Sequence, residues 1–393
     1  MSHSQLLFAR SIRLRIVQTA AAAALAIGCG NTEPYRIGVV LDDDGLRGAQ
    51  LAAADVNANG GIHGHPLELR SMPGAGSTKA KVALETARTL AADPGILAVV
   101  GHTSSSASLA ASPVYDASGI VLIAPTTTTP HYGIRSPFSF RLVASDVHQG
   151  VFLADQALAL SRGGRIAIVY VNDDYGRPLR TLVLARLRAA GVEPVYDGPY
   201  SEGDRATNHE IVEALARMKP DQLIWIGQAV EYASHQPAMR TALPNLTVMA
   251  SDGFGGPALQ DDPQHVFDGV RYVRLVDFQL ADSALSRFTA GYRQQGLAEP
   301  SDQAVLSYDA VRLLAAAIGD QGPNRTAIRE WLSEVGRARP AFKGLSGPVV
   351  FDASGDRSPQ YFLVRIGAAG AGAVHTSLRG ALTTGVMHTT PSP

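Results

Sequence analysis

Apolar positions along the chain come in short unbroken runs separated by longer stretches with helical spacing. The runs RIGVVL (36–41), PLELR (66–70), ILAVVG (96–101), IVLIAP (120–125), RIAIVYV (165–171), QLIWIG (222–227) and LTVMAS (246–251) read as strands. Most are continuous rather than alternating, as in parallel strands covered on both faces. Between them, residues 79–92 place Ala80, Ala83, Leu84, Ala87, Leu90 and Ala91 on one side of a helix. Thr207-Asn208-His209-Glu210 reads as a capping box opening the helix before QLIWIG. Strand and helix alternating in this way predict an α/β protein with doubly wound, parallel central sheets.

The alternation occurs twice, over 35–143 and 163–276. Helices are predicted over 282–297, 301–320 and 325–337, then late strands GPVVFD (347–352) and YFLVRI (361–366). Two similar halves with elements left over predict two lobes joined by several crossings. The first lobe takes 35–143 and 277–346, and the second takes 144–276 and 347–367. Residues 368–393 are Gly/Ala-rich and then polar, and predict a loose tail.

Composition narrows the function. The 393 residues are 46% apolar with a formal net charge of −1, which suits a globular protein and gives no reason to expect nucleic acid. Cys29 is the one cysteine, so neither an internal disulfide nor a zinc site of several thiolates is possible. Arg10, Arg13 and Arg15 precede an apolar run to Ile27 flanked by small residues. This is the pattern of a secretory signal peptide over 1–28, with a tether over 29–34. Cys29 after Ala26 and Gly28 resembles a bacterial lipobox, in which that thiol is lipidated. Ala26 stands where the ideal pattern has Leu, and Leu25 comes one place earlier. The alternative is an ordinary signal peptide with an incidental cysteine. Either reading places the mature chain outside the cytoplasm, in the periplasm or at the cell surface.

Ligands of open parallel sheets sit beyond the carboxyl ends of the strands. After ILAVVG, Ser104, Ser105 and Ser106 fall where a helix begins, and either cap it or hold a carboxylate. After IVLIAP comes TTTT (126–129), a polar loop or a row of hydroxyls fit for a small zwitterion. Tyr175, after RIAIVYV, either covers a ligand or lies on the surface. Asp252, after LTVMAS, is a carboxylate able to pair with a cation. The following Gly253 to Ala258 formally matches a dinucleotide fingerprint, but Pro257 and QDDPQHVFDG argue against the long helix that a pyrophosphate needs. His63 and His65 sit in a predicted turn with no third ligand near, so no metal is expected. No G-x-S-x-G, P-loop or H-E-x-x-H occurs, and neither a cofactor nor a catalytic constellation is expected.

These residues resemble a family. AAADVNANGGIHGHPLEL (52–69), GHTSSSASLAASPVYDASGIVLIAPTTTTP (101–130), NDDYG (172–176) and SYDAVRLLAAAI (307–318) are similar to stretches of periplasmic solute-binding proteins of the branched-chain amino acid type. The resemblance implies a type I periplasmic-binding fold with three hinge crossings, placed near 142–145, 274–277 and 344–349. It implies the binding component of an ABC importer, a monomer that takes an amino acid between its lobes and meets a permease at the membrane. An extracytoplasmic sensor or partner-binding scaffold of the same fold is the alternative. The ligand carboxylate falls to Ser105, Thr126 and Thr128, with Ser104 beside them. Tyr175 and the acid Asp252 fall to the ammonium. Gln228 and Ala229 line the side-chain pocket, with Ala229 where relatives often carry an aromatic. The long loop usual between first strand and first helix is absent: IGVVL runs straight into Asp42-Asp43-Asp44.

Overall fold

The computed structural model describes residues 32–367 except 73–77, 135, 162, 260–261, 280–281 and 296–298. Cys29, the signal segment and the tail from 368 lie outside the described residues. Among the described residues no helix is long and apolar enough to cross a membrane.

Five parallel strands form the first sheet: β1 (Tyr35–Val40), β2 (Leu67–Ser71), β3 (Ile96–Gly101), β4 (Val121–Ala124) and β5 (Ser139–Arg141), in the order β2-β1-β3-β4-β5. Every residue of β3 and β4 is buried, which is why those runs read as unbroken apolar. Helix α1 (Asp43–Ala58) starts after only Leu41 and Asp42. Asp42 caps it, accepting from Gly45 N at 2.9 Å. The other helices of this part are α2 (Ala80–Ala91) and α3 (Ser105–Ala117).

The chain then crosses through α4 (Asp146–Leu160) to a second sheet. It contains β6 (Ile166–Val171), β7 (Tyr196–Tyr200), β8 (Gln222–Ile226), β9 (Thr247–Ala250), β10 (Arg271–Arg274) and β13 (Phe362–Arg365), ordered β13-β10-β9-β8-β6-β7. Only β13 runs antiparallel to its neighbour. Helices α5 (Gly176–Ala189), α6 (Arg205–Met218) and α7 (Ala229–Ala242) connect these strands. Helix α6 begins at Arg205, so Thr207 lies inside it and the predicted capping box does not open it.

After β10 the chain returns through α8 (Ser283–Gln294), α9 (Asp302–Gln321) and α10 (Arg325–Glu334). Helix α9 packs along α1, so the late helices complete the first half. The strand predicted over 347–352 is shorter: β12 (Gly347–Val349) pairs with β11 (Phe342–Gly344) as a hairpin and stays out of the second sheet. Two side chains then fasten the three passages between the sheets. Arg357 donates to Leu142 O (3.2 Å) and Ser346 O (2.9 Å). Gln360 donates to Leu275 O (3.1 Å) and Ser346 O (2.9 Å). Asp309 accepts from the backbone of Leu345 and Ser346, holding the third passage to α9. Burial lowers the Arg357 guanidinium to about 10, against the opposing charge of Asp309.

Candidate functional site

The strand ends of the two sheets face each other across a cleft of about 1210 Å³. Thr103, Ser104 and Ser105 after β3 and Thr126 after β4 form one wall. Ser104 is the N-cap of α3, its Oγ accepting from Ala107 N at 3.2 Å, and it lines the cleft as well. The capping reading of this serine holds, and its place in the cleft wall leaves the hydroxyl next to any bound ligand. Ser105 is the first residue of the helix, 3% exposed and in the cleft wall. The Thr103 and Thr126 hydroxyls have no partner among the described residues. A row of such donors at a helix N-terminus suits an anionic group.

Thr128 needs correction. It is fully buried and lines no part of the cleft. An extended stretch would turn Thr126 and Thr128 the same way, but the run bends at Pro125 and Thr126. It then wraps over the buried Arg141, whose Nη1 donates to Thr129 O at 2.9 Å, while Thr128 O accepts from Asp146 N at 2.8 Å. Thr127 turns its hydroxyl to Ser108, 2.7 Å away. Only Thr126 of the four reaches the cleft.

On the other wall, Asp173 Oδ1 accepts from the backbone N–H of Tyr175 (2.9 Å) and Gly176 (2.7 Å), fixing the turn into α5. A Cβ on Gly176 would run into the carbonyl of Val171, so this tight turn requires glycine. The turn aims Tyr175 at the end of β9. Its hydroxyl donates to Asp252 Oδ1 (2.5 Å), accepts from Gly253 N (3.2 Å) and lies 2.8 Å from Ser251 Oγ. Burial holds the Asp252 carboxyl above its ordinary range, and the Tyr175 bond works against that shift. Gln228 and Ala229 line the cleft beside them, and Gln228 Nε2 donates to Glu202 at 3.0 Å.

The residues after Asp252 form two short 3₁₀ turns, Asp252–Phe254 and Pro257–Leu259, where a pyrophosphate site would need a long helix. His63 and His65 each direct a ring nitrogen to a backbone carbonyl at 2.8 Å, of Gly319 and Glu33.

Sequence reasoning missed the far end of the cleft. There Arg274 lies over the Phe278 ring, 4.0 Å from its centroid, and pairs with Asp302 at 2.8 and 3.0 Å. Asp44 accepts from the hydroxyls of Tyr292 and Ser301. Ser286 and Thr289 of α8 line the space beside the short β1–α1 connection. No local motif marks these residues, because their hydrogen-bond partners lie 28 to 257 positions away.

A profile of periplasmic binding proteins matches residues 35–371. The chain belongs to the periplasmic binding protein family. This binding protein is 31% identical over 294 residues to an amino acid binding protein of Pseudomonas aeruginosa, covering 73% of this chain and 76% of that one. It is 30% identical over 198 residues to the Leu/Ile/Val-binding protein of Escherichia coli, about half of each chain (50% and 51%). Its fold matches that of a branched-chain amino acid transporter substrate binding protein of Streptococcus pneumoniae in complex with isoleucine. The TM-score is 0.77 at 21% identity, covering 88% of this chain and all (100%) of the other. Membership of this solute-binding family carries an extracytoplasmic location.

Proposed function

We propose that this binding protein captures an amino acid, or a molecule with the same paired head groups, and delivers it to an ABC importer. Bare hydroxyls at Thr103 and Thr126 and the α3 N-terminus at Ser104 and Ser105 face the Tyr175–Asp252 pair across one cleft, and this arrangement carries the reading. The carboxylate lies on Ser105 and Thr126, and the ammonium on Asp252. Ala229, Gln228 and the polar space left by the short β1–α1 connection receive the side chain. The lobes are 35–143 with 277–346 and 144–276 with 347–367, and they close on the ligand about the three passages. Cys29 anchors the mature, monomeric chain to the membrane. The fold's cleft is used for binding rather than turnover.

Calorimetry of the purified protein against amino acids, their amides and simple carboxylates tests the reading. A micromolar dissociation constant, about −8 kcal/mol, is expected for amino acids with both head groups free. Equal binding of the carboxylates without an ammonium, or no binding by any compound, rejects it.

A further inference from the structure

A second buried carboxyl feels the charge of the seat proposed for the ammonium. Asp146 is the first residue of α4, on the first passage between the sheets, and is fully buried. Its Oδ1 accepts from Gln149 Nε2 at 2.9 Å, while Gln149 Oε1 accepts from Asp252 N at 3.0 Å. One buried amide therefore ties the Asp146 carboxyl to the backbone of Asp252. The Thr128 hydroxyl lies beside the Asp146 carboxyl and favours its charged form, and among the described residues no other partner reaches Asp146 Oδ2.

Among the described residues, the groups that act most strongly on the two acids include one cation, and it is engaged elsewhere. Arg141 acts on Asp146 from β5, Tyr175 faces both from the turn into α5, and Tyr361 faces both from beside β13. Asp302 acts on Asp252 from α9. The Arg141 charge is already engaged, through Nε on Asp356 Oδ1 (2.6 Å) and Nη2 on Asp356 Oδ2. The phenols stay protonated because burial raises both. The α4 N-terminus favours charge on Asp146. Burial, then the charge of Asp252, outweigh it and hold the Asp146 carboxyl well above the usual range.

We propose that Asp146 and Asp252 hold one proton between them in the ligand-free protein, and that the ligand's ammonium takes that proton's place. This rests on the reading of Asp252 as the ammonium seat. The charges balance: the pair with its proton carries one negative charge, the ammonium adds one positive, and one proton leaves to solvent. The pair and ammonium together again carry one negative charge, so burial never isolates two carboxylates. Asp146 acts through Asp252 and is a positioning residue. Ligand uptake is thereby proton-linked, tightening as pH rises below the titration of the pair by up to about tenfold per pH unit.

Two measurements test this. Infrared spectra of the ligand-free protein at neutral pH should show the carbonyl stretch of a protonated carboxyl, absent from Asp146→Asn. In the wild type this band should fade as pH rises through the pair's titration, a readout that does not depend on the variant folding. Calorimetry with L-leucine in buffers of different ionisation enthalpy should then register about one proton released per ligand, and none with Asp146→Asn. No such band in the wild type, or leucine binding without proton release, overturns the proposal. Failure of leucine to bind counts against the amino-acid reading, and the band alone then decides the shared proton.

Discussion

Arg141 and Asp356 lie 215 residues apart and meet as a two-bonded ion pair where the last strand of the first sheet touches the segment leading back into the second. The guanidinium is 1% exposed, and its remaining donors point at Thr127 O and Thr129 O. Asp356→Asn leaves a buried charge without its counterion. The expected loss is about 3–5 kcal/mol, read as a lower urea midpoint. A loss under about 1 kcal/mol would mean that water reaches Arg141 once the carboxylate is gone.

Helices α1 and α9 pack tightly at Gly48, where a Cβ would run into the carbonyl of Ala304. The obstacle is backbone, which cannot rotate away as a side chain does. Gly48→Ala should destabilise by about 1–3 kcal/mol through forced separation of the helices. Gly291→Ala in α8 is the control, since nothing lies within 4 Å of its Cβ position. That change should be neutral or stabilising by up to about 1 kcal/mol. Thermal unfolding of the two variants side by side separates a packing requirement from a helix-propensity effect.

What could be read in advance follows from where the information sits. β3 and β4 announce themselves because both faces are covered, so every residue is apolar or small. β7, YDGPY, carries Gly and Pro inside the strand, which an edge position tolerates, and hydrophobic runs do not reveal it. β5 spans three residues, too few for any period to register. At the site, the rule of strand ends pointed to the serines after β3, the threonine run, Tyr175 and Asp252, and the resemblance narrowed the first two; Ser105, Thr126, Tyr175 and Asp252 all line the cleft. The resemblance misplaced Thr128, which is fully buried between two residues whose carbonyls accept from Arg141 further along the chain. The rule passed over Asp146, which reads as an ordinary acid in the first turn of a helix until burial and Asp252 are both in view.

Tyr175 organises the acid of the cleft through one hydroxyl shared among Asp252, Gly253 N and Ser251. Tyr175→Phe removes the hydroxyl and keeps the ring in place. Without that bond Asp252 is a more basic carboxyl and a less ordered partner for an ammonium. Affinity for an amino acid should fall by about 1–3 kcal/mol, roughly 5- to 150-fold, with the melting temperature little changed. Calorimetry and thermal unfolding on the same preparation provide both readouts. An unchanged affinity would place the ligand away from Asp252.

His102, directly after β3, is 1% exposed, with Nε2 3.3 Å from the Tyr115 hydroxyl and Nδ1 without a partner among the described residues. Burial lowers its pKa to about 3 from an ordinary 6.5. A base depressed in the fold behaves as follows: above 6.5 both folded and unfolded chains hold it neutral. As pH falls below 6.5 the unfolded chain takes up a proton that the fold refuses. Stability is therefore lost progressively down to about 3, by on the order of 5 kcal/mol for this group alone. His102→Gln removes the titration and so removes the slope. Urea midpoints at neutral and mildly acidic pH should show the wild type losing stability relative to the variant on acidification. Other titrating groups, Asp146 among them, are common to both proteins and cancel in that difference. A difference that stays constant across the window would show that His102 gains its proton inside the fold, with the Tyr115 oxygen accepting it.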